Sequence, residues 1–179
     1  MDFYMPMSTT RRHNRIINEF LLKLYNNFDR EEADALTSDC ALVYWGYRNK
    51  VSHKLSLVNL NETEDINYFK KEIINDLEYV QPDFLFFKDN PYVCNDRDTR
   101  TAGCPDLIVE IWSDTNSDDE KNFKRVLYAS GIQTEHWYIN QKSNDVACYL
   151  GENQLKDQSL VSVLKTQKGI EFDLRYLAV

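Results

Sequence analysis

Two spacings of apolar residues recur along the chain, one typical of helices and one typical of strands. Residues 15–28 have the helical spacing, because their apolar side chains recur every three or four positions. The residues that carry this pattern are Ile16, Phe20, Leu24 and Phe28, with Ile17, Leu21 and Tyr25 beside them. Residues 1–12 are polar and mixed, and we expect them to be flexible. Residues 61–78 have a second helical pattern and are predicted to be a helical elaboration of the domain.

Short apolar runs bounded by polar or turn-forming residues predict the strands of a sheet. They cover residues 41–47, 55–60, 81–87, 106–112, 135–140 and 145–150. The chain closes with an alternating pattern, which predicts a half-buried strand over 170–177 that pairs with 160–165. The acidic segment 29–39 and the segment 88–104 are predicted to be loops.

Residues 105–140 form the best-defined unit, with the order strand, loop, helix, strand. Ser117 and Glu120 have the spacing of a capping box, which predicts that the helix begins after Ser117. Phe123, Val126 and Leu127 are expected to face inward, with Ser130 continuing their stripe. Lys124 and Tyr128 share a neighbouring stripe, and Gly131 fits the end of the helix. The unit is therefore predicted to be a βαβ crossover.

Composition indicates a globular protein of one domain spanning residues 1–179. Hydrophobic residues make up 42% of the chain and charged residues 28%. Because no run of eighteen apolar residues exists, we expect no membrane span. Four cysteines without metal-like spacing, and no secretory signal, favour reduced thiols and a cytoplasmic location.

The charge balance counts against general binding to nucleic acid. The net charge is −8, whereas affinity for nucleic acid depends largely on lysine and arginine contacts to phosphate. Local basic groups are still present, and they could contact phosphate or simply lie in solvated loops. They are Arg48, Lys50 and Lys54 in one turn, and Arg97 and Arg100 in the 88–104 segment.

Glu110 carries the strongest chemical signal. It lies within an apolar run that predicts a strand covered on both faces, where an unpaired carboxylate is costly. Glu110 therefore needs a cation, a metal ion or several donors beside it. A structural ion pair with Lys124 would also meet that need. Asp106 begins the same strand and shares its face with Glu110, whereas Asp83 opens an upstream strand. Each of these two acids could be a ligand or could cap a turn.

These motifs resemble the Uma2 family of restriction endonucleases, within the PD-(D/E)XK nuclease superfamily. The similarity rests on a Pro-Asp strand ending in Glu and Ser, a helix with Lys-x-x-x-Tyr, and a Gly-Ile before a Glu-His-Trp strand. The matching residues are Pro105, Asp106, Glu110, Ser113, Lys124, Tyr128, Gly131, Ile132, Glu135, Trp137 and Asn140. The segment Gln81-Pro82-Asp83 is similar to the family's first Pro-Asp strand.

The resemblance implies an α/β, restriction-endonuclease-like fold with a mixed central β-sheet flanked by helices. It further implies a DNA endonuclease dependent on Mg²⁺ or Mn²⁺ that acts as a homodimer. Asp83 and Glu110 would be catalytic metal ligands assisted by Asp106, and Lys124 would be the catalytic lysine. Glu135 and Tyr128 would not bind the metal themselves but would hold these residues in position.

Three features favour an alternative: Trp112 occupies the superfamily's lysine position, Asn140 replaces a common aspartate, and the net charge is −8. Gln133-Thr134 also departs from the family pattern by adding one residue before Glu135. The alternative is a catalytically inactive nuclease fold that binds nucleic acid or protein.

Overall fold

The chain is described by a computed structural model that covers residues 10–28, 33–37, 41–44, 79–90, 92–94, 100–131 and 133–178. In chain order its helices and strands are α1 (Arg11–Asn27), β1 (Asp34–Thr37), β2 (Ala41–Tyr44), β3 (Phe84–Phe87), β4 (Tyr92–Cys94), β5 (Arg100–Gly103), β6 (Leu107–Trp112), α2 (Asp118–Ala129), β7 (Glu135–Asn140), β8 (Asp145–Leu150), β9 (Asn153–Gln154), β10 (Gln158–Ser159), β11 (Leu164–Lys165) and β12 (Glu171–Phe172), followed by a short 3₁₀ helix (Arg175–Leu177). The predicted strand 55–60 and the predicted helix 61–78 lie outside the described residues.

The main sheet is mixed. Its order is β1-β3-β6-β7-β8-β10, with β9 also paired to β8. Only β6 and β7 run parallel in this sheet, because α2 carries the chain back across it between them. The other described pairs of the sheet are antiparallel. A smaller sheet has the order β2-β5-β4, and β11 pairs with β12.

The strands β3, β6 and β7 are buried on both faces, and this produces two cores. Alternate side chains of each strand point to opposite faces. On one face, Phe84 and Val109 pack with Phe20 of α1. On the other face, Leu85 and Ile108 pack with Leu127 of α2. The helices therefore cover opposite faces of the sheet, as expected from the apolar runs.

Several predicted boundaries were wrong. The first helix begins at Arg11, inside the segment expected to be flexible, because the Thr10 side chain accepts a hydrogen bond from the backbone N–H of His13. The predicted loop 29–39 contains β1, which pairs antiparallel with β3 along its whole length. The predicted loop 88–104 contains β4 and β5, which pair with each other.

The predicted closing strand 170–177 was also wrong in extent. Only Glu171 and Phe172 pair, with Lys165 and Leu164, and the chain then turns into the 3₁₀ helix. Alternation beyond Phe172 fails because Tyr176 is 52% exposed, whereas Leu174 is buried.

The inward face of α2 differs from the predicted stripe. Phe123 is 41% exposed and Val126 is 73% exposed, whereas Lys124, Leu127 and Tyr128 are buried. The N-cap half of the predicted capping box is present, because the Ser117 hydroxyl accepts from the backbone N–H of Glu120. The Glu120 carboxylate accepts instead from the side-chain amide of Asn116. The helix ends at Ala129 with Ser130 as its C-cap, so Gly131 follows the cap directly and lies at the end of the helix, as predicted. The face of α2 that is turned towards the sheet is therefore determined by polar residues as well as by apolar ones.

Candidate active site

Glu110 lies in the middle of the sheet on the face covered by α2. Its side chain is 2% exposed, so its charge depends on protein partners. Lys124 donates to Oε2 at 2.8 Å, and the Tyr128 hydroxyl donates to Oε1 at 2.6 Å. Lys124 and Tyr128 are four residues apart on α2, so one stripe of the helix serves both carboxylate oxygens. The partner that Glu110 was predicted to need is therefore a lysine and a tyrosine.

Asp83 precedes β3 and lies beside Glu110 on the neighbouring strand. The register pairs Phe84 with Val109, which places Asp83 opposite Glu110. The backbone N–H of Ile111 donates to Asp83 Oδ2 at 2.7 Å and fixes this carboxylate at the sheet. The Asp83 side chain is 17% exposed, more than that of Glu110. The two carboxylates and the Lys124 ammonium thus come from two strands and one helix.

His13 is a member of this group that the sequence did not reveal. It lies in the first turn of α1, and its Nε2 is 2.9 Å from Asp83 Oδ1. The signal that could have found it is its place on the buried stripe of α1, ahead of Ile16, Phe20 and Leu24. Starting the predicted helix at Arg15 removed His13 from that stripe.

At this site, burial disfavours the charged forms of the side chains, whereas pairing with opposite charges favours them. Burial raises the pKa of Glu110 to about 7, although Lys124 and Tyr128 favour its ionised form. Burial alone would lower the pKa of Lys124, but the charges of Glu110 and Asp83 outweigh it and raise that pKa. Burial likewise opposes the charged form of His13, and its contact with Asp83 raises the pKa above the usual value. Such strongly perturbed groups are typical of functional sites.

Asp106 does not join this group. It lies four residues before Glu110 on the same strand, about 13 Å away at the usual rise per residue. Its Oδ2 accepts from the backbone N–H groups of Lys88, Asp89 and Asn90, at 2.7, 2.9 and 3.2 Å. Its Oδ1 accepts from Lys168. The predicted metal-ligand role of Asp106 is therefore replaced by a role in anchoring the turn after β3.

Glu135 is also distant from the site it was expected to support. It pairs in register with Leu107, at the Asp106 end of β6. Its carboxylate accepts from Trp137 Nε1 at 2.7 Å and from the backbone N–H of Gln167 at 2.8 Å. Glu135 thus ties β7 to the 166–169 turn, whereas Tyr128 contacts Glu110 directly.

The predicted contacts to nucleic acid are only partly within the structure. Arg48, Lys50, Lys54 and Arg97 lie outside the described residues. The guanidinium of Arg100 lies 4.4 Å from the centre of the Tyr79 ring. Its predicted contact with phosphate stays a prediction.

Asp83 and Glu110 are neighbouring carboxylates on adjacent parts of the sheet. Mg²⁺ takes one or two carboxylates and keeps several waters. The described residues contain no cluster of three or more His, Cys, Asp or Glu that could hold a metal. Asp83 and Glu110 provide two neighbouring oxygen donors of the kind that Mg²⁺ takes. Among the described helices, none has the length and apolar character needed to cross a membrane.

Comparison with known proteins places these features in a family. Residues 3–175 match the family model Uma2, described as "Putative restriction endonuclease". Among solved structures, a crystal structure titled a putative nuclease belonging to DUF820, from Anabaena variabilis, is similar with a TM-score of 0.58. It is 13% identical, and the alignment covers 97% of this chain and 85% of that one. No curated protein matches. The expected fold is thereby confirmed.

Proposed function

Because this chain belongs to the Uma2 family of restriction endonucleases, we propose that it is a metal-dependent nuclease that hydrolyses phosphodiester bonds in DNA. The observation that carries the proposal is the 2.8 Å contact between Lys124 and Glu110. The superfamily pattern expects a lysine at position 112, where this chain has Trp112. The ammonium of Lys124 reaches the acidic strand from α2 and supplies the missing cation.

Asp83 and Glu110 would hold the ion, which we propose to be Mg²⁺ or Mn²⁺. When bound, such an ion activates water and stabilises charge on the phosphate. Lys124 would stabilise negative charge at the same place, because its ammonium contacts Glu110 and interacts electrostatically with Asp83. His13 would orient Asp83, and Tyr128 would orient Glu110, through the hydrogen bonds described above.

The rival function, a nuclease fold that binds without cleaving, also has support. Both oxygens of Glu110 already accept hydrogen bonds, which is what a structural ion pair requires. The net charge of −8 lowers the expected affinity for any nucleic acid. The two functions differ in whether the carboxylates bind a divalent ion.

The test is calorimetric titration of Mg²⁺ and Mn²⁺ combined with nicking of supercoiled plasmid. Glu110→Gln keeps the shape of the side chain and removes its charge. Asp106→Asn is a matched control, because it also neutralises a buried carboxylate. Asp106 directly precedes β6, and its carboxylate has other partners than that of Glu110. We expect Glu110→Gln to abolish both metal binding and nicking, and Asp106→Asn to retain both while lowering the melting temperature.

Each other outcome has a defined meaning. A wild-type protein that binds no metal at millimolar concentration refutes the nuclease proposal and leaves Glu110–Lys124 as a structural pair. Loss of metal binding in Asp106→Asn, with the fold intact, would return Asp106 to the ligand set. The homodimer implied by the resemblance stays a prediction, which sedimentation velocity would test.

A further inference from the structure

Arg125 is surrounded by aromatic rings instead of acids. Its Cζ lies 5.8, 5.6 and 5.4 Å from the ring centres of Trp112, Tyr138 and Tyr149. Within the described part of the chain, no carboxylate or carbonyl accepts a hydrogen bond from Arg125, and its Nε is buried without a partner. An arginine with no acidic partner in the described part of the chain is unexpected when the chain has 29 acidic residues.

Trp112 adds a second donor without an acceptor. Its Nε1 is buried and unpartnered, and its ring stacks on Tyr138 with the centres 4.3 Å apart. Lys121 lies over the same indole, with Nζ 5.7 Å from the ring centre. Among the described residues, Lys121 pairs with Asp118 at 3.9 Å, and the Asp118 side chain is 95% exposed. Two N–H donors without an acceptor among the described residues thus meet an ammonium whose one described acidic partner is exposed.

This cluster adjoins the candidate active site. Trp112 follows Glu110 by two residues on β6, so their side chains share a face. Arg125 follows Lys124 on α2, and Lys121 lies one turn earlier. The three residues therefore flank the Glu110–Lys124 pair at the end of β6. Trp112 and Arg125 are half-buried, so part of each side chain is accessible, although Trp112 Nε1 and Arg125 Nε are themselves buried.

The hydrogen-bond donors and the charge of this cluster indicate which kind of ligand would bind there. Buried donors without acceptors are costly and are usually satisfied, so an acceptor from outside the described residues is expected. A planar guanidinium binds oxyanions through two parallel hydrogen bonds, and stacking on aromatic rings fixes its plane. Phosphate offers several acceptor oxygens to a guanidinium, an indole N–H and an ammonium at once.

We propose that Trp112, Lys121 and Arg125 form a binding site for a backbone phosphate of DNA, next to the hydrolytic centre. The assignment rests on the proposed function, because it is the nuclease substrate that supplies this phosphate. It gives Trp112 a role at the position where the superfamily has a lysine. The site anchors the strand, whereas Glu110 and Lys124 act at the bond to be cut.

The test measures binding of a fluorescent DNA duplex by anisotropy in EDTA over a series of salt concentrations. EDTA prevents cleavage and makes binding independent of the metal. Arg125→Gln should weaken binding about ten-fold and reduce the slope against salt by about one, as expected for one lost phosphate contact. Trp112→Phe, which keeps a ring but removes the N–H, should weaken binding about three-fold, a smaller loss expected for a single hydrogen bond.

Arg175→Gln is the matched control. It removes the same charge, but Arg175 is exposed and bound to Asp173 at 2.8 Å. It should leave binding near the wild-type value. If Arg125→Gln does not fold, Arg125→Lys keeps the charge but cannot bind bidentately, and it should still weaken binding several-fold.

Equal binding by Arg125→Gln and wild type, or no binding of DNA by the wild type at low salt, would overturn the proposal. So would an effect of Arg125→Gln on binding of polyglutamate but not of DNA, which would identify an acidic protein as the ligand. Failure of the nuclease proposal is distinguishable: Glu110→Gln would then not affect nicking, whereas the anisotropy result concerns binding alone.

Discussion

Replacing Lys124 by methionine isolates the energetic role of the central ion pair. Methionine preserves most of the length and apolar contact of the lysine stem but removes the ammonium. Glu110 then keeps the Tyr128 hydroxyl at 2.6 Å as a donor and loses the 2.8 Å contact to Lys124, the one cation within hydrogen-bond distance among the described residues. Both side chains of the pair are nearly inaccessible, at 6% and 2% exposure, so water cannot replace the lost partner.

The expected loss in free energy of unfolding is large. Breaking a buried ion pair by removing one partner costs about 3–5 kcal/mol, because the other charge stays buried and unpaired. The lower end of that range is expected here, since Glu110 already has a raised pKa and can take up a proton when its cation is removed. A loss of about 3 kcal/mol is a substantial part of the roughly 5–15 kcal/mol that stabilises an ordinary domain.

Urea denaturation in EDTA, followed by circular dichroism, measures this loss without interference from metal. Lys165→Met is the control, because Lys165 and Glu171 form an exposed pair at 3.1 Å with each side chain 59% exposed. It should cost less than about 1 kcal/mol. The double variant Glu110→Leu/Lys124→Met should recover most of the stability lost by Lys124→Met, since it leaves no buried charge. A Lys124→Met protein as stable as Lys165→Met would refute this account of the pair.

Two further predictions concern the histidines. Burial lowers the pKa of His136 to about 4, so the unfolded chain binds a proton between pH 6.5 and 4 that the folded chain does not. The contribution of His136 to the free energy of unfolding should therefore fall by about 3 kcal/mol as pH drops through this range, at about 1.4 kcal/mol per pKa unit. Glu110, whose pKa is raised to about 7, contributes in the opposite direction over the same range, so the effect of His136 is read from the difference between wild type and His136→Gln. Urea titrations should show that His136→Gln loses this dependence, and an unchanged slope would contradict it. His13→Ala should weaken Mg²⁺ binding by about 10–100-fold, because Asp83 loses its orienting donor. His13→Gln should restore part of the affinity measured by calorimetry, and an affinity of His13→Ala equal to wild type would exclude this role.

The crossover unit could be predicted from sequence because its signals are local. The bounds of β7 and β8 were predicted to the residue, and those of β6 to within one residue. The capping box located the start of α2, since Ser117 and Glu120 interact within one turn. The need of Glu110 for a partner also followed from its place in an apolar run.

The parts that failed depend on contacts distant in sequence. β1 is a four-residue edge strand that exists because it pairs with β3, about fifty residues later. Asp106 has the sequence context of a ligand, and only the approach of the 88–90 turn and Lys168 gives it another role. His13 was missed because its partner, Asp83, lies seventy residues away. Neither periodicity nor a motif reports such contacts.

The inward face of α2 shows how the site itself changes local structure. A helix above this sheet would be expected to bury Phe123 and Val126, yet it exposes them and buries Lys124 instead. Burying an ammonium is unfavourable unless a carboxylate meets it, and Glu110 supplies that carboxylate from the strand below. The same orientation of the helix places Arg125 over Trp112. Because Lys124 neutralises Glu110, the side chain at position 112 does not have to. With the lysine on the helix as Lys124, position 112 on the strand holds an indole, which packs against Arg125. We therefore propose that Lys124 takes the role of the missing strand lysine, so the absence of a lysine at position 112 is not by itself a sign that the site has been lost.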